Sequence, residues 1–178
     1  TRGQAAKMLV NAYGLTKGEK TVSFTDVPAS NEYAEAIQVL ASQGFINGYA
    51  DGTFKPTEEI TRGQFAKILT NILGVTSNGS NPFTDVATSS EYYSAITALF
   101  ENGITKGTSA GTYSPVADVT RGQLSSFIVR GLTWLEENAP EDPQEEFNLS
   151  ILHVNDTHAH VEQFPKLVTA VNEARATN

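Results

Sequence analysis

The chain has 178 residues, 39% of them hydrophobic and none of them cysteine, and 12 basic against 20 acidic side chains leave a formal net charge of −8. No apolar run approaches the roughly 18 residues that a membrane helix needs, and zero cysteine excludes a disulfide framework and a thiolate metal site. The acidic balance argues against a nucleic acid polymer as the partner.

The first element opens on Thr1-Arg2-Gly3-Gln4, a tetrapeptide that returns at Thr61 and at Thr120. Thr at an N-cap with Gln three residues later predicts a capping box, which satisfies N–H groups left without partners at a helix start. An apolar stripe follows it, Phe65, Ile68, Leu69 and Ile72 in one copy and Leu124, Phe127 and Ile128 in the next, so each tetrapeptide starts an amphipathic helix. Gly74 stands where that helix should stop, as a C-cap glycine. A second helix is predicted from Tyr33, Ala36, Ile37 and Leu40, and its twin from Tyr92, Ala95, Ile96 and Leu99. Between the two helix types lies residues 44–54, with three glycines and an Asp51-Gly52 turn signal, too rich in glycine for helix.

These elements repeat. Residues 24–73 slid onto 83–132 without a gap share 20 identities in 50 positions, and residues 1–16 match 61–76 at 10 of 16. The chain therefore reads as the back part of one repeat (1–16) and two nearly complete ones (24–75 and 83–134), all-α in class. Asp26 and Asp85, each in Phe-Thr-Asp-Val, read as turn-fixing residues. Arg in the first helical turn is mildly unfavourable with the helix dipole, and its threefold use at Arg2, Arg62 and Arg121 asks for a reason. Two readings stand: a carboxylate or phosphate site beside exposed helix N–H groups, or an arginine packed over a loop and capping its carbonyls.

Phe24-Thr25-Asp26-Val27, Gly48-Tyr49-Ala50-Asp51-Gly52-Thr53-Phe54-Lys55-Pro56 and Ile60-Thr61-Arg62-Gly63-Gln64 together resemble the S-layer homology domain family, over about residues 1–134. The resemblance implies a pseudo-threefold spindle with ligand grooves between lobes. It also implies non-covalent anchoring of exported bacterial proteins to cell-wall polysaccharide, often pyruvylated, on the outer surface of a Gram-positive-type bacterium and without a cofactor. The family's ligand-contacting arginine maps onto Arg2, Arg62 and Arg121, with Tyr33, Tyr92, Gly48 and Asp51 as further glycan-site candidates. Tyr33 and Tyr92 can offer a sugar an aromatic face or simply pack in the core. Gly63 and Gln64 stand where the family usually has Ala and Glu, and Ala110 stands where the earlier repeat has Asp51. The first repeat lacks everything ahead of Thr1, so the natural protein is expected to continue upstream.

Residues 136–146 read as an acidic linker, with Glu136, Glu137, Glu141, Asp142, Glu145 and Glu146 and with Pro140 and Pro143 among them; such a stretch self-repels and cannot bury a core. Beyond it, residues 147–154 predict a short strand, Asn155 to His160 a polar loop, and Pro165 the first turn of a helix. The string Leu149 to Glu162, with Asn155-Asp156-Thr157-His158, resembles the opening of the 5'-nucleotidase branch of calcineurin-like metallophosphoesterases. That resemblance implies a truncated β-loop-α start of an α/β domain. In its complete form Asp156 would bridge two divalent metal ions and His158 would bind one, on a nucleotide-type phosphate ester. No role is assigned to His153 or His160. The chain is thus expected to bind glycan and to lack catalysis of its own, the alternative being a nucleotide-hydrolysing phosphoesterase of which this is a piece.

Overall fold

The computed structural model describes residues 1–79 and 81–139. Within them are five helices: α1 (Arg2–Tyr13), α2 (Ala34–Ser42), α3 (Arg62–Leu73), α4 (Tyr93–Glu101) and α5 (Arg121–Glu137). No strand occurs among the described residues, only isolated bridges such as Thr61 with Asp118. The strand, loop and helix read from residues 147–178, with Asp156 and His158, lie outside the described residues, as does the linker from Pro140 onward.

α1, α3 and α5 all start on the repeated tetrapeptide, and each carries the full capping box. The backbone N–H of Gln64 donates to Thr61 Oγ1 at 3.3 Å, and that of Thr61 donates back to Gln64 Oε1 at 3.3 Å. Such a cap is worth about 1 kcal/mol. α1 and α3 stop at Gly14 and Gly74, both left-handed, Gly74 with φ 66°, a conformation that costs glycine nothing. The third copy has Thr133 at this place. Without the glycine stop, α5 continues to Glu137, so helix reaches two residues into the segment read as linker. Tyr33 and Tyr92 also depart from expectation. They are the N-cap residues of α2 and α4 rather than members of the helices, and their rings turn toward the neighbouring repeat.

Packing runs across repeats. α2 lies on α1 and α4 on α3, while α5 touches both α1 and α3. Ile37, Leu40, Phe65, Leu69, Ile96 and Leu99 are wholly shielded from solvent at the centre of one continuous core. Each such side chain contributes roughly 1.5–3 kcal/mol when buried. The loops are tied down by carboxylates. Asp26 accepts from the N–H groups of Phe54 (2.8 Å) and Lys55 (2.7 Å), and Asp85 from those of Tyr113 (2.8 Å) and Ser114 (2.7 Å). Lys55 and Ser114 are both left-handed, with φ 60° and 59°, a conformation that non-glycine residues hold only where the surroundings dictate it. The two carboxylates supply that constraint.

Candidate functional site: two grooves built on buried arginines

The first two arginine helices, α1 and α3, each dock by the N-terminus on the loop of the following repeat. The N–H groups of Arg2 and Gly3 donate to the carbonyls of Glu58 and Pro56, both at 2.8 Å, and those of Arg62 and Gly63 donate to Ala117 and Pro115, also at 2.8 Å. The guanidinium groups repeat the pattern. Arg2 Nε donates to Phe54 O and Arg62 Nε to Tyr113 O, each at 2.8 Å. Arg2 lies 4.6 Å over the Phe54 ring and Arg62 4.6 Å over that of Tyr113. Both arginines are buried, at 7% and 3% exposure, and burial pulls both below the ordinary guanidinium pKa. The first helix N–H groups are therefore spent on the protein's own carbonyls. At Arg2 and Arg62 the loop-capping arrangement is present, and no helix N-terminus is open to an anion there.

The same arginines nevertheless line grooves. Groove 1 encloses about 220 Å³ between Arg2, the Gly48-Tyr49 bend, α3 and Tyr92. Arg2 Nη1 donates to Gln64 Oε1 at 3.3 Å, and Gln64 Nε2 reaches Tyr49 Oη at 3.4 Å. The guanidinium also lies 4.8 Å over the Tyr49 ring. At the rim Lys67 Nζ pairs with Glu91 Oε2 at 2.9 Å, and this bond holds Glu91 below the usual carboxylate range. Groove 1 thus combines three aromatic side chains (Phe45, Tyr49 and Tyr92), two cations and one carboxylate, a set suited to a sugar ring that carries an acidic group.

Groove 2 occupies the equivalent place one repeat on and encloses about 230 Å³. Arg62, Gly107, Thr108 and Gln123 stand for Arg2, Gly48, Tyr49 and Gln64, while Ser126 and Arg130 replace Lys67 and Asn71. Arg62 Nη2 is buried here without a hydrogen-bond partner among the described residues.

The other predicted site residues fall elsewhere. Gly48 holds φ 67°, and a Cβ on it would meet the Phe24 ring and, at 2.7 Å, Thr53 O; it shapes the bend behind groove 1. Asp51 is exposed and accepts from both Thr53 N (3.0 Å) and Thr53 Oγ1 (2.6 Å), bonds that lower its pKa. In the third repeat, which has Ala110 there, Ser109 and Thr112 join through their hydroxyls at 2.5 Å instead. Tyr33 lies against Gly3 and Tyr92 against Gly63, and Tyr92 alone of the two lines a groove. Arg121 is exposed at the start of α5, beside Thr1 and Glu59. Sequence reasoning missed Tyr49, Gln64, Lys67 and Glu91 in groove 1 and Thr108, Ser126 and Arg130 in groove 2. Lys67 was traceable, since it lies five residues past Arg62 on the polar side of the helix; Glu91 comes from a different element, and only docking brings it near. Among the described residues, no three His, Asp or Glu side chains gather as a metal site, and no helix is long and apolar enough to cross a membrane.

Residues 23–66 and 82–125 match the family model described as S-layer homology domain. The chain is 40% identical over 95 residues to the surface-layer 125 kDa protein of Lysinibacillus sphaericus, covering 53% of this chain and 8% of that protein. It is 34% identical over 128 residues to an endoglucanase of Bacillus sp. (strain KSM-635), covering 70% and 13% respectively. A cellulosome-anchoring protein of Acetivibrio thermocellus is 28% identical over 141 residues, covering 74% and 32%. The matched segments thus span less than a third of each of these relatives.

Proposed function

We propose, from the premise that residues 23–66 and 82–125 are two S-layer homology repeats, that the helical unit is a non-covalent anchor holding the protein at the outer cell surface, in the wall of a Gram-positive-type bacterium. Relatives named as surface-layer and cellulosome-anchoring proteins support the anchoring role. The ligand we assign is cell-wall polysaccharide bearing an acidic group such as a pyruvate ketal. One observation carries this: groove 1 sets the Arg2 guanidinium between the rings of Tyr49 and Phe54, with Lys67 and Tyr92 at its mouth. A carboxylate on a pyranose ring meets cations, and the ring meets an aromatic face.

The test is co-sedimentation of the full chain with purified sacculi, with and without their attached polysaccharide. Because Arg2 also holds the fold, the variants are Tyr49→Ala and Lys67→Ala, both outside the core. Binding that requires the polysaccharide and weakens about tenfold in the double variant, as the loss of one charge-assisted contact and one stacking face implies, is the expected result. Equal sedimentation with stripped walls, or no effect of the double variant, rules the reading out.

A second reading follows from Asn155-Asp156-Thr157-His158: that the anchored cargo is a two-metal phosphoesterase acting on nucleotides. A relative named as an endoglucanase shows that a segment of this kind occurs in an enzyme. Asp156 and His158 would help hold divalent metal in the complete domain, and that metal would supply Lewis acidity for phosphate-ester hydrolysis. This chain should show no nucleotide or phosphodiester hydrolysis with Mn²⁺. Activity that disappears in Asp156→Ala would instead make the chain itself the enzyme.

A further inference from the structure

The two grooves are equivalent by repeat but not by chemistry. In groove 1 the Tyr49 ring flanks Arg2, and the Lys67–Glu91 pair spans the rim. In groove 2 the ring is replaced by Thr108 and the lysine by Ser126, and no carboxylate lines the walls. Arg130 brings a second guanidinium. It is exposed, and its one contact, from Nη1 to Ile104 O, is long at 3.5 Å. The lining charge is therefore +2, from Arg62 and Arg130, against +1 in groove 1, from Arg2 and Lys67 less Glu91.

The guanidinium groups also differ in what they lack. Arg2 Nη1 has Gln64 Oε1. The matching Gln123 Oε1 accepts only from Thr120 N, and Arg62 Nη2, on a residue 3% exposed, has no acceptor. Asp85, the carboxylate whose charge acts on Arg62, is engaged by the Tyr113 and Ser114 N–H groups. A buried cationic donor without an acceptor is costly, and a bound oxyanion is the group that removes the cost. The one aromatic in the lining, Phe127, is buried and lies 5.3 Å beneath the Arg62 guanidinium. Two cations with hydroxyls from Thr105, Thr108 and Ser126 fit a compact, doubly charged tetrahedral anion better than a stacked sugar ring.

We infer that groove 2 is a phosphate site, taking a phosphate monoester borne by a wall glycan on Arg62 and Arg130, while groove 1 takes the sugar-ring carboxylate. The assignment rests on the anchoring reading for its glycan and on the structure of groove 2 for its anion.

The experiment is a titration of the full chain with inorganic phosphate and with a hexose phosphate. It is followed by the Nε–H signal of Arg62 and the amide signals of Gly107 and Thr108, and by calorimetry. Both ligands should shift the groove 2 signals, with the hexose phosphate binding more tightly. Ser126→Glu, on an exposed helical position, puts a carboxylate in the groove without disturbing the core and should weaken binding about tenfold or more; Arg130→Gln should act in the same direction, and Lys20→Ala, at an exposed lysine that lines neither groove, should change nothing. The inference is overturned if phosphate leaves Arg62 and Thr108 unmoved, if it moves groove 1 signals equally, or if Ser126→Glu binds as the parent does. Hexose phosphate binding no tighter than inorganic phosphate removes the glycan-borne part. Sacculus binding measured in parallel separates the two readings. Sedimentation without a phosphate shift defeats this inference alone, and a phosphate shift without sedimentation defeats the anchor, and with it the wall glycan as bearer of the phosphate, while the anion site in groove 2 stands.

Discussion

Gly3, Gly63 and Gly122 occupy one position of the repeated tetrapeptide, yet their surroundings differ. A Cβ on Gly63 would stand 2.6 Å from Tyr92 Cδ2 and 3.0 Å from Pro115 O, and one on Gly3 would meet Tyr33 and Pro56 O in the same way. Around Gly122 there is nothing within 4 Å. The first two glycines are therefore there for close packing, since any side chain would lift the helix off the tyrosine ring and the loop carbonyl. Gly63→Ala should cost about 1–3 kcal/mol through overpacking. Gly122→Ala should stabilise the protein by about 0.5–1 kcal/mol through helix propensity alone. Denaturant midpoints for the two variants check both signs. From the sequence the three glycines were indistinguishable, because their difference lies in partners some 30 and 52 residues away. The arginines teach the same lesson. Repetition marked Arg2, Arg62 and Arg121 alike, but Arg2 and Arg62 each cap a carbonyl in the next repeat's loop, while Arg121 is exposed.

At the scale of elements, capping boxes and glycine stops set the helix limits from local residues, and the apolar stripes named the buried faces. The exceptions have tertiary causes. Tyr33 and Tyr92 continue the apolar stripe, yet they leave the helix to cover Gly3 and Gly63. Tyr13, near the end of α1, reaches across to α5, where its Oη donates to Ile128 O at 3.2 Å and packs on Gly131. Burial raises the Tyr13 pKa to about 12. A group whose folded pKa is raised lends its stability below the unfolded pKa of about 10 and loses it as pH climbs through the folded value. Stability should therefore be level on this account up to about pH 10 and fall between about pH 10 and 12. Tyr113, raised by burial as well, steepens that fall. Tyr13→Phe should make it shallower, read by denaturant melts across that range; an unchanged slope would show that Tyr13 does not titrate with unfolding.

For the helical unit as a whole, the helix contacts run in the series α2–α1–α5–α3–α4, and α5 keeps an open face. α1 carries α2 and α3 carries α4, but α5 carries no such helix among the described residues. Val129 of α5 is 60% exposed, while Thr70, its counterpart on α3, faces α4 and donates to Ala95 O at 3.3 Å. Arg121 is exposed where Arg2 and Arg62 are buried. Everything α5 lacks is what residues 24–60 provide to α1: a tyrosine, a helix and a loop ending in proline. Fusing a second copy of residues 24–60 ahead of Thr1 should fill the open face, bury Arg121 and Val129, and raise Tm by about 5 °C or more, as a gain of 1 kcal/mol or above implies for this size. A thermal melt and the protection of Arg121 and Val129 amides from exchange test it; an unchanged Tm would mean that the face does not accept that element.

Sequence alone determined what depends on near neighbours: the repeat, the five amphipathic helices, the Thr–Gln caps of α1, α3 and α5, the glycine stop of α3 at Gly74, and the placing of Asp26 and Asp85 at turns. Each of these is set by groups within a few residues of one another, or by a periodicity that survives without coordinates. Tertiary structure decided what depends on docking. It turned Arg2 and Arg62 inward onto the carbonyls of another repeat, drew Tyr49, Lys67 and Glu91 into one groove, and left Arg62 with a donor that has no acceptor. The reason is one of distance along the chain. A groove here is assembled from an arginine of one repeat, a loop of the next and a helix that follows, and no local pattern encodes which side chains then face one another.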